Sequence, residues 1–285
     1  MHYEVGGDEE TYRRFMAKGA EIALKASKTH CSAECASYHG VWLFTRASGA
    51  LPSVDHYRKR MVPALASAIQ DGCDELLISG AADFGILDLV ARALHQIQSS
   101  PRITVVDRCE TPLAVNRWYA DKAGLNLRTY KSDILDFDQG RYDVIVAHNF
   151  LNFFSDDDKV RLFQRWAGLL RPGGSIVIGN NTKPDAPPLA RRFADEKVEI
   201  IMQQMRQRGA ELGFADIISE DDLDWMVRDY VKRRISHNIA RVENLRQLLA
   251  KAGLKSVDVE PVGSLSEKVP AEYHRKRHVL TIRHA

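Results

Sequence analysis

Cysteine is scarce in this chain, with four in 285 residues. That is too few for a disulfide framework, and a reduced, cytosolic protein is the default expectation. An excess of one charge sign is also missing. Forty Lys+Arg against 38 Asp+Glu leave a formal net charge of +2, so bulk charge gives no reason to expect a nucleic-acid or membrane-surface partner. No apolar run approaches the roughly 18–20 residues of a membrane span. The opening MHYEVGGDEETYRR is polar and acidic and does not read as a secretory signal. There is no repeat and no low-complexity tract. What is present is the mix of a globular protein, 45% hydrophobic and 27% charged. The length suits one large domain, or a core with an added cap.

The chain divides into three zones. Residues 1–72 read as a helical amino-terminal cap. Tyr12, Phe15, Met16, Ala20, Ala23 and Leu24 form one helical stripe, and Tyr57, Met61, Leu65, Ala68 and Ile69 another, with breaks at Gly49 and Pro52 and a bend at Pro63. Residues 73–180 alternate short apolar runs with amphipathic ones. Strands are predicted at ELLISG (75–80), RITVVD (102–107), LRTYKSD (127–133), YDVIVAH (142–148) and SIVIGN (175–180). Helices are predicted at 86–97, 111–124 and 156–174. Such alternation means βαβ units around a parallel sheet. Residues 181–252 read as a helical insertion. Its stripes include Leu189, Phe193, Ile201, Met205, Trp225 and Tyr230, and it is placed to act as a lid. The last apolar runs, 255–262 and 278–285, are too close for a crossover and are expected to pair as an antiparallel hairpin at the sheet edge. That hairpin joins 73–180 in the core, as residues 253–285.

Gly80-Ala-Ala-Asp-Phe-Gly85 follows the first strand and opens a helix, where glycines let backbone pass close to a ligand. Read strictly it is G-x-A-x-x-G, near the dinucleotide fingerprint. Asp107 ends the second strand and is placed to accept from both ribose hydroxyls, or else to cap the next helix. Asp133 ends the third strand in the same register, beside Ile134. These features suit either a nicotinamide dinucleotide or S-adenosylmethionine. Asp83 decides between them. A carboxylate beside a diphosphate costs roughly 1–4 kcal/mol at close range, whereas a sulfonium and an ammonium welcome it. The chain also ends in a strand pair, without a separate substrate-binding domain.

In this order and spacing, ELLISGAADFG, TVVDRCETPL, KSDILDF, YDVIVAHNFLNFF and LLRPGGSIVIG resemble a class I S-adenosylmethionine-dependent methyltransferase. The resemblance covers about residues 73–180 and, more loosely, the last two strands. It implies an α/β fold: a Rossmann-like, doubly wound, seven-stranded sheet with the last strand antiparallel, carrying the helical amino-terminal and insertion caps. Carried over by position, it implies that Gly80, Ala81 and Asp83 contact the methionine part of the cofactor, Asp107 the ribose and Asp133 the adenine; Ile134, packing on the adenine ring, and Arg108 are further candidate cofactor contacts. The loop departs from D/E-x-G-x-G-x-G, with Ser79, Gly80, Ala82 and Phe84 in a looser version. The segment after the fourth strand implies a methyl-donor site lined by His148, either as a base for the acceptor or only as a hydrogen-bonding wall group.

Asn149, Asn152 and Phe153 are candidate acceptor contacts, with Trp42 from the amino-terminal zone. Tyr38 and Arg46 are candidate cofactor contacts, the aromatic face for the sulfonium and the guanidinium as a bidentate donor to the methionine carboxylate. The expected reaction is SN2 methyl transfer to an oxygen or nitrogen of a small molecule, releasing S-adenosylhomocysteine. Two other classes stay open: an NAD(P)-dependent oxidoreductase using the same loop, and an S-adenosylmethionine-binding protein without methyl transfer. The basic runs 228–234 and 272–278 are the argument for a nucleic-acid acceptor. Nearby acids offset the first, and the second reads as a solvated loop. Cys31 and Cys35, with His30, have a loose metal-like spacing, but no second pair completes it, so no metal is expected. Cys73 and Cys109 read as isolated. The sequence does not specify an oligomeric state.

Overall fold

The computed structural model describes residues 5–51, 53–69, 72–184, 186–191, 196–254, 256–263 and 276–283. Pro52, Phe193 and most of the basic run 272–278 lie outside them. Among the described residues no helix is long and apolar enough to cross a membrane.

The amino-terminal zone folds as α1 (Glu9–His30), α2 (Ala36–Ala47), a 3-10 turn at Val54–Tyr57 and α3 (Arg58–Ile69). Asp8 caps α1 by accepting from the Thr11 backbone N–H at 2.9 Å. The stripe from Tyr12 to Leu24 is buried, as its spacing predicts. The central zone runs β1 (Glu75–Ser79), α4 (Gly85–Ile97), β2 (Arg102–Asp107), α5 (Glu110–Ala123), β3 (Leu127–Lys131), β4 (Tyr142–His148), α6 (Asp156–Leu169) and β5 (Leu170–Thr182). The predicted helix over 156–174 therefore stops five residues early. Leu170 is already extended and pairs with Tyr142 ahead of Pro172 and Gly173. Beyond β5 come β6 (Leu189–Arg191), α7 (Glu196–Glu211), α8 (Glu220–Arg233), β7 (Ile235–His237), α9 (Val242–Lys251), β8 (Ser256–Val262) and β9 (Lys276–Arg283). β6 and β7 form a separate antiparallel pair that the sequence reading did not anticipate.

The main sheet has seven strands in the order β3-β2-β1-β4-β5-β9-β8. The first five are parallel, and β9 runs antiparallel between β5 and β8. This is the expected Rossmann-like architecture with an antiparallel last strand. Arg277 and His278 belong to β9 rather than to a solvated loop, and Arg277 is buried. Alternate strand residues serve two cores. Leu76, Ile78, Val105 and Val144 pack with the amino-terminal helices, α4 and α5. Leu77, Val106, Ile145 and Ile178 pack with α6 and α9. With both faces covered, the carboxyl edge of the parallel strands is left as the place for a ligand.

Candidate active site

A cavity of about 530 Å³ lies at that edge. Its floor is the β1–α4 loop, the ends of β2 and β4, and the turn after β3. Its walls come from α2, the segment after β4 and the carboxyl end of α8. Every predicted site residue lines it except Asn152, which is buried in the 3-10 turn Leu151–Phe153. That turn aims Phe153, not Asn152, at the cavity, which corrects the expectation that Asn152 contacts an acceptor.

The glycines of the first loop have specific tasks. Gly80 has φ +73°, which favours glycine, and a Cβ there would meet the Phe150 ring at 2.3 Å. At Gly85 a Cβ would meet Arg46 Nη1 and Val54, each at 2.6 Å. The close approaches that these glycines permit are thus made by the protein's own side chains. Asp107 Oδ2 accepts from the Ala81 N–H at 3.0 Å and Oδ1 from the Cys109 N–H at 2.8 Å. Each oxygen keeps a second lone pair. Burial pushes the Asp107 carboxyl up, against the effect of those two donors. Asp133 Oδ1 accepts from the Leu135 N–H at 2.9 Å, while Oδ2 lies 3.5 Å from Nε of Arg108, a rim residue 81% exposed. Ile134 is buried beside it.

Arg46 corrects the sequence reading. Its fork is engaged by Asp55, Nε to Oδ2 at 2.8 Å and Nη2 to Oδ1 at 3.0 Å. Nη1 donates to Asp83 Oδ1 at 2.8 Å, and Nη2 also donates to the Tyr12 hydroxyl. A guanidinium side chain only 1% exposed must be paired within the protein, so the bidentate geometry expected for a methionine carboxylate is spent on Asp55. Burial alone would lower the Arg46 pKa, but Asp55 and Asp83 outweigh it and hold the group charged. Arg46 also offsets the Asp83 charge, so the repulsion expected against a diphosphate is weaker than the sequence implies. Asp83 Oδ1 further accepts from the Gly85 N–H. Its Oδ2 is buried with no hydrogen-bond partner among the described residues.

After β4 the chain turns sharply. Asn149 adopts φ +47°, a left-handed conformation that asparagine tolerates better than most residues. Its N–H donates to the Gly179 carbonyl at 2.8 Å, and its Oδ1 accepts from the Asn181 N–H at 3.2 Å. That second bond orients the amide, so Nδ2 is the atom 3.0 Å from His148 Nε2 and donates to it. The Tyr57 hydroxyl donates to Asn181 Oδ1 at 2.5 Å, and the Tyr57 ring stands edge-on to His148 at 4.6 Å. His148 Nε2 is therefore already an acceptor, which favours the wall-group reading over the base.

The outer wall is aromatic and cationic. Tyr38 stacks on Tyr230 at 5.2 Å, and Arg234 lies 3.7 Å from the Phe153 ring centroid and 5.2 Å from that of Tyr38. Asp229 accepts from Ser37 at 2.6 Å, tying α8 to α2. Phe150 lines the cavity as a wall residue, and Asp229, Arg233 and Arg234, read from sequence only as part of a basic run, line it too. The clearest miss is a cluster in which Cys109 and His39 join Cys31 and Cys35, while exposed His30 stays out. Burial lowers the His39 pKa, but hydrogen bonds to Cys109 and Cys35 outweigh it and raise it to about 9. Cys109 is thus not isolated, and the pair at 31 and 35 does have partners.

Comparisons with known proteins agree with this geometry. A family model described as a methyltransferase domain matches residues 86–174. A probable chemotaxis protein methyltransferase of Rhizobium etli is 26% identical over 140 residues, 47% of each chain. The chain thus spans about half the length of that curated relative. A provisionally assigned O-methyltransferase of Nostoc punctiforme superposes with a TM-score of 0.53 at 14% identity, over 95% of this chain and 71% of that one. A Burkholderia thailandensis 1,6-didemethyltoxoflavin-N1-methyltransferase, solved with that compound and S-adenosylhomocysteine, gives 0.51 at 17% identity, over 99% and 92%. At such identities the two structures establish a shared fold. The domain match and the seven-stranded topology identify residues 86–174 as a methyltransferase domain set within a Rossmann-like fold.

Proposed function

We propose that the chain transfers the methyl group of S-adenosylmethionine to an oxygen or nitrogen of a small molecule bound in this cavity. The observation that carries the reading is the alignment of acids along the strand ends. Asp83, Asp107 and Asp133 line one cavity in succession, under a roof from α2 and α8. The residues suit the cofactor's chemistry. Asp83 Oδ2 is a buried acceptor with no partner among the described residues, a match for an ammonium donor. The spare lone pairs of Asp107 suit vicinal hydroxyls, and Asp133 beside Ile134 suits the amino edge and face of adenine. When bound, the cofactor supplies a methyl group already activated on a sulfonium.

The chain's own residues do the rest. Tyr38 and Trp42 offer aromatic faces near the cationic centre. Asn149 holds the turn after β4 and fixes the His148 ring. His148 and Phe153 form the wall against which an acceptor is oriented, and the roof excludes water. Holding a nucleophile in line at about 3–3.5 Å supplies much of the rate without a base. The walls from α2 and α8 narrow the cleft, which supports an acceptor of small-molecule size over a protein side chain on a folded surface. In the same reading the helices before residue 73 and the insertion 181–252 act together as the cap. Incubating the chain with methyl-labelled S-adenosylmethionine and a metabolite extract tests this. The expected outcome is label in a small-molecule product and one S-adenosylhomocysteine formed per label transferred. Label found only in protein refutes the acceptor class, and no calorimetric binding of S-adenosylhomocysteine refutes the cofactor.

A further inference from the structure

We propose that Cys31, Cys35, His39 and Cys109 bind one zinc ion, a Cys3His site that ties the amino-terminal helices to the loop after β2. The spacing C-x3-C-x3-H supplies three ligands from a short stretch, and the fold brings the fourth from 70 residues further on. Cys31 ends α1 in extended backbone, Cys35 is the N-cap of α2, and His39 lies four residues on, on the same helical face. Cys109 is the N-cap of α5. Neither cysteine cap makes a side-chain capping hydrogen bond, at positions where Ser, Thr, Asp or Asn are usual. What two helix amino termini do offer is stabilisation of thiolate charge.

The candidate ligand atoms all lie within 4.8 Å of one another. Cys31 Sγ is 3.4 Å from Cys109 Sγ and 3.2 Å from His39 Nδ1. Sulfurs about 2.3 Å from a tetrahedral zinc stand roughly 3.8 Å apart, so the cluster is close to that size. Three thiolates and an imidazole are a soft donor set that favours zinc over magnesium or calcium. With all four positions supplied by protein, the site is closed and structural. Thr111 Oγ1, 3.2 Å from Cys31 Sγ, supports it from outside the ligand set. Binding releases the thiol protons to solvent. The Cys109 N–H donates to Asp107 Oδ1, so the ion also fixes that carboxylate, while the zinc proposal itself does not rest on the identity of the cofactor.

The test uses the full chain, purified untagged under reductant. Metal analysis is expected to find about one zinc per chain. Cys35→Ser and Cys109→Ser should each lower retained zinc about tenfold or more, while Cys73→Ser, outside the cluster, retains it. Cobalt added to chelator-treated wild type should give thiolate charge-transfer and tetrahedral d–d bands that folded Cys109→Ser lacks. Folded wild type that holds no zinc and shows no such bands overturns the site, as do bands unchanged in Cys109→Ser. An intact mass two hydrogens low, with a Cys31–Cys109 peptide and no metal, replaces it with a disulfide. Calorimetry with S-adenosylhomocysteine on the same samples separates the two readings, since a zinc-free chain that binds it loses only the metal site.

Discussion

Replacing Arg46 by Met is the sharpest perturbation the structure offers. Met matches much of the volume and removes the charge. Asp55 is then left without its fork, and Asp83 keeps only the Gly85 N–H, both within a region that sequesters the guanidinium almost completely. Removing one partner of a buried ion pair costs about 3–5 kcal/mol, because the surviving charge stays desolvated. That is a large share of the roughly 5–15 kcal/mol that holds a typical domain together. For a chain of this length it lowers the thermal midpoint by about 5–10 °C. The assay is thermal unfolding followed by circular dichroism, with urea titration as a second measure. Adding Asp83→Asn to the Met variant should recover about 1–2 kcal/mol, since the two residues are in contact and their effects do not add. An unchanged midpoint in Arg46→Met, or no recovery in the double variant, would refute the claim that this network holds the β1–α4 loop.

Other outcomes follow from single observations. Burial pushes the Asp55 carboxyl up, but the Arg46 charge, Ser53 and Arg58 outweigh it and hold it well below the ordinary carboxylate range. A depressed folded pKa gives stability that is present above the unfolded value of about 3.9 and is lost as pH falls below it. Urea midpoints should therefore drop more steeply below pH 4 in wild type than in Asp55→Asn, and parallel acid limbs would contradict the pairing. Gly80→Ala should destabilise by about 1–3 kcal/mol through its positive φ and the Phe150 ring, and Phe150→Leu in that background should restore only part of it. Asp107→Ala should weaken S-adenosylhomocysteine by about 1.5–3 kcal/mol in calorimetry, and equal affinity in a folded variant removes the ribose assignment. His148→Ala should slow turnover by less than about a hundredfold, because Nε2 already accepts from Asn149; a larger loss of kcat alone would reinstate the base.

The parallel core was legible because its signals are local. Near-continuous apolar strands, helices of 3.6 periodicity, the glycine loop after ELLIS and the acids that close RITVVD and LRTYKSD name the sheet, its edge and the cavity floor. The antiparallel pairing of the last two strands followed from the connection between them, too short for a crossover. Side-chain partners did not follow. Arg46 reads as a free donor until Asp55 and Asp83 are seen to occupy it, and Asn152 reads as a site residue until a 3-10 turn buries it. His148 reads equally as a base or a wall group, and the contact of its Nε2 with the Asn149 amide is not visible in the sequence. Cys109 stands 70 residues from His39, and no periodicity links them. Sequence patterning therefore determined which backbone elements form and which sheet edge carries the cavity, since both depend on neighbours a few residues apart. Tertiary packing alone decided which polar groups are already spoken for, because a buried charge or thiol takes whichever partner the fold brings within hydrogen-bond distance.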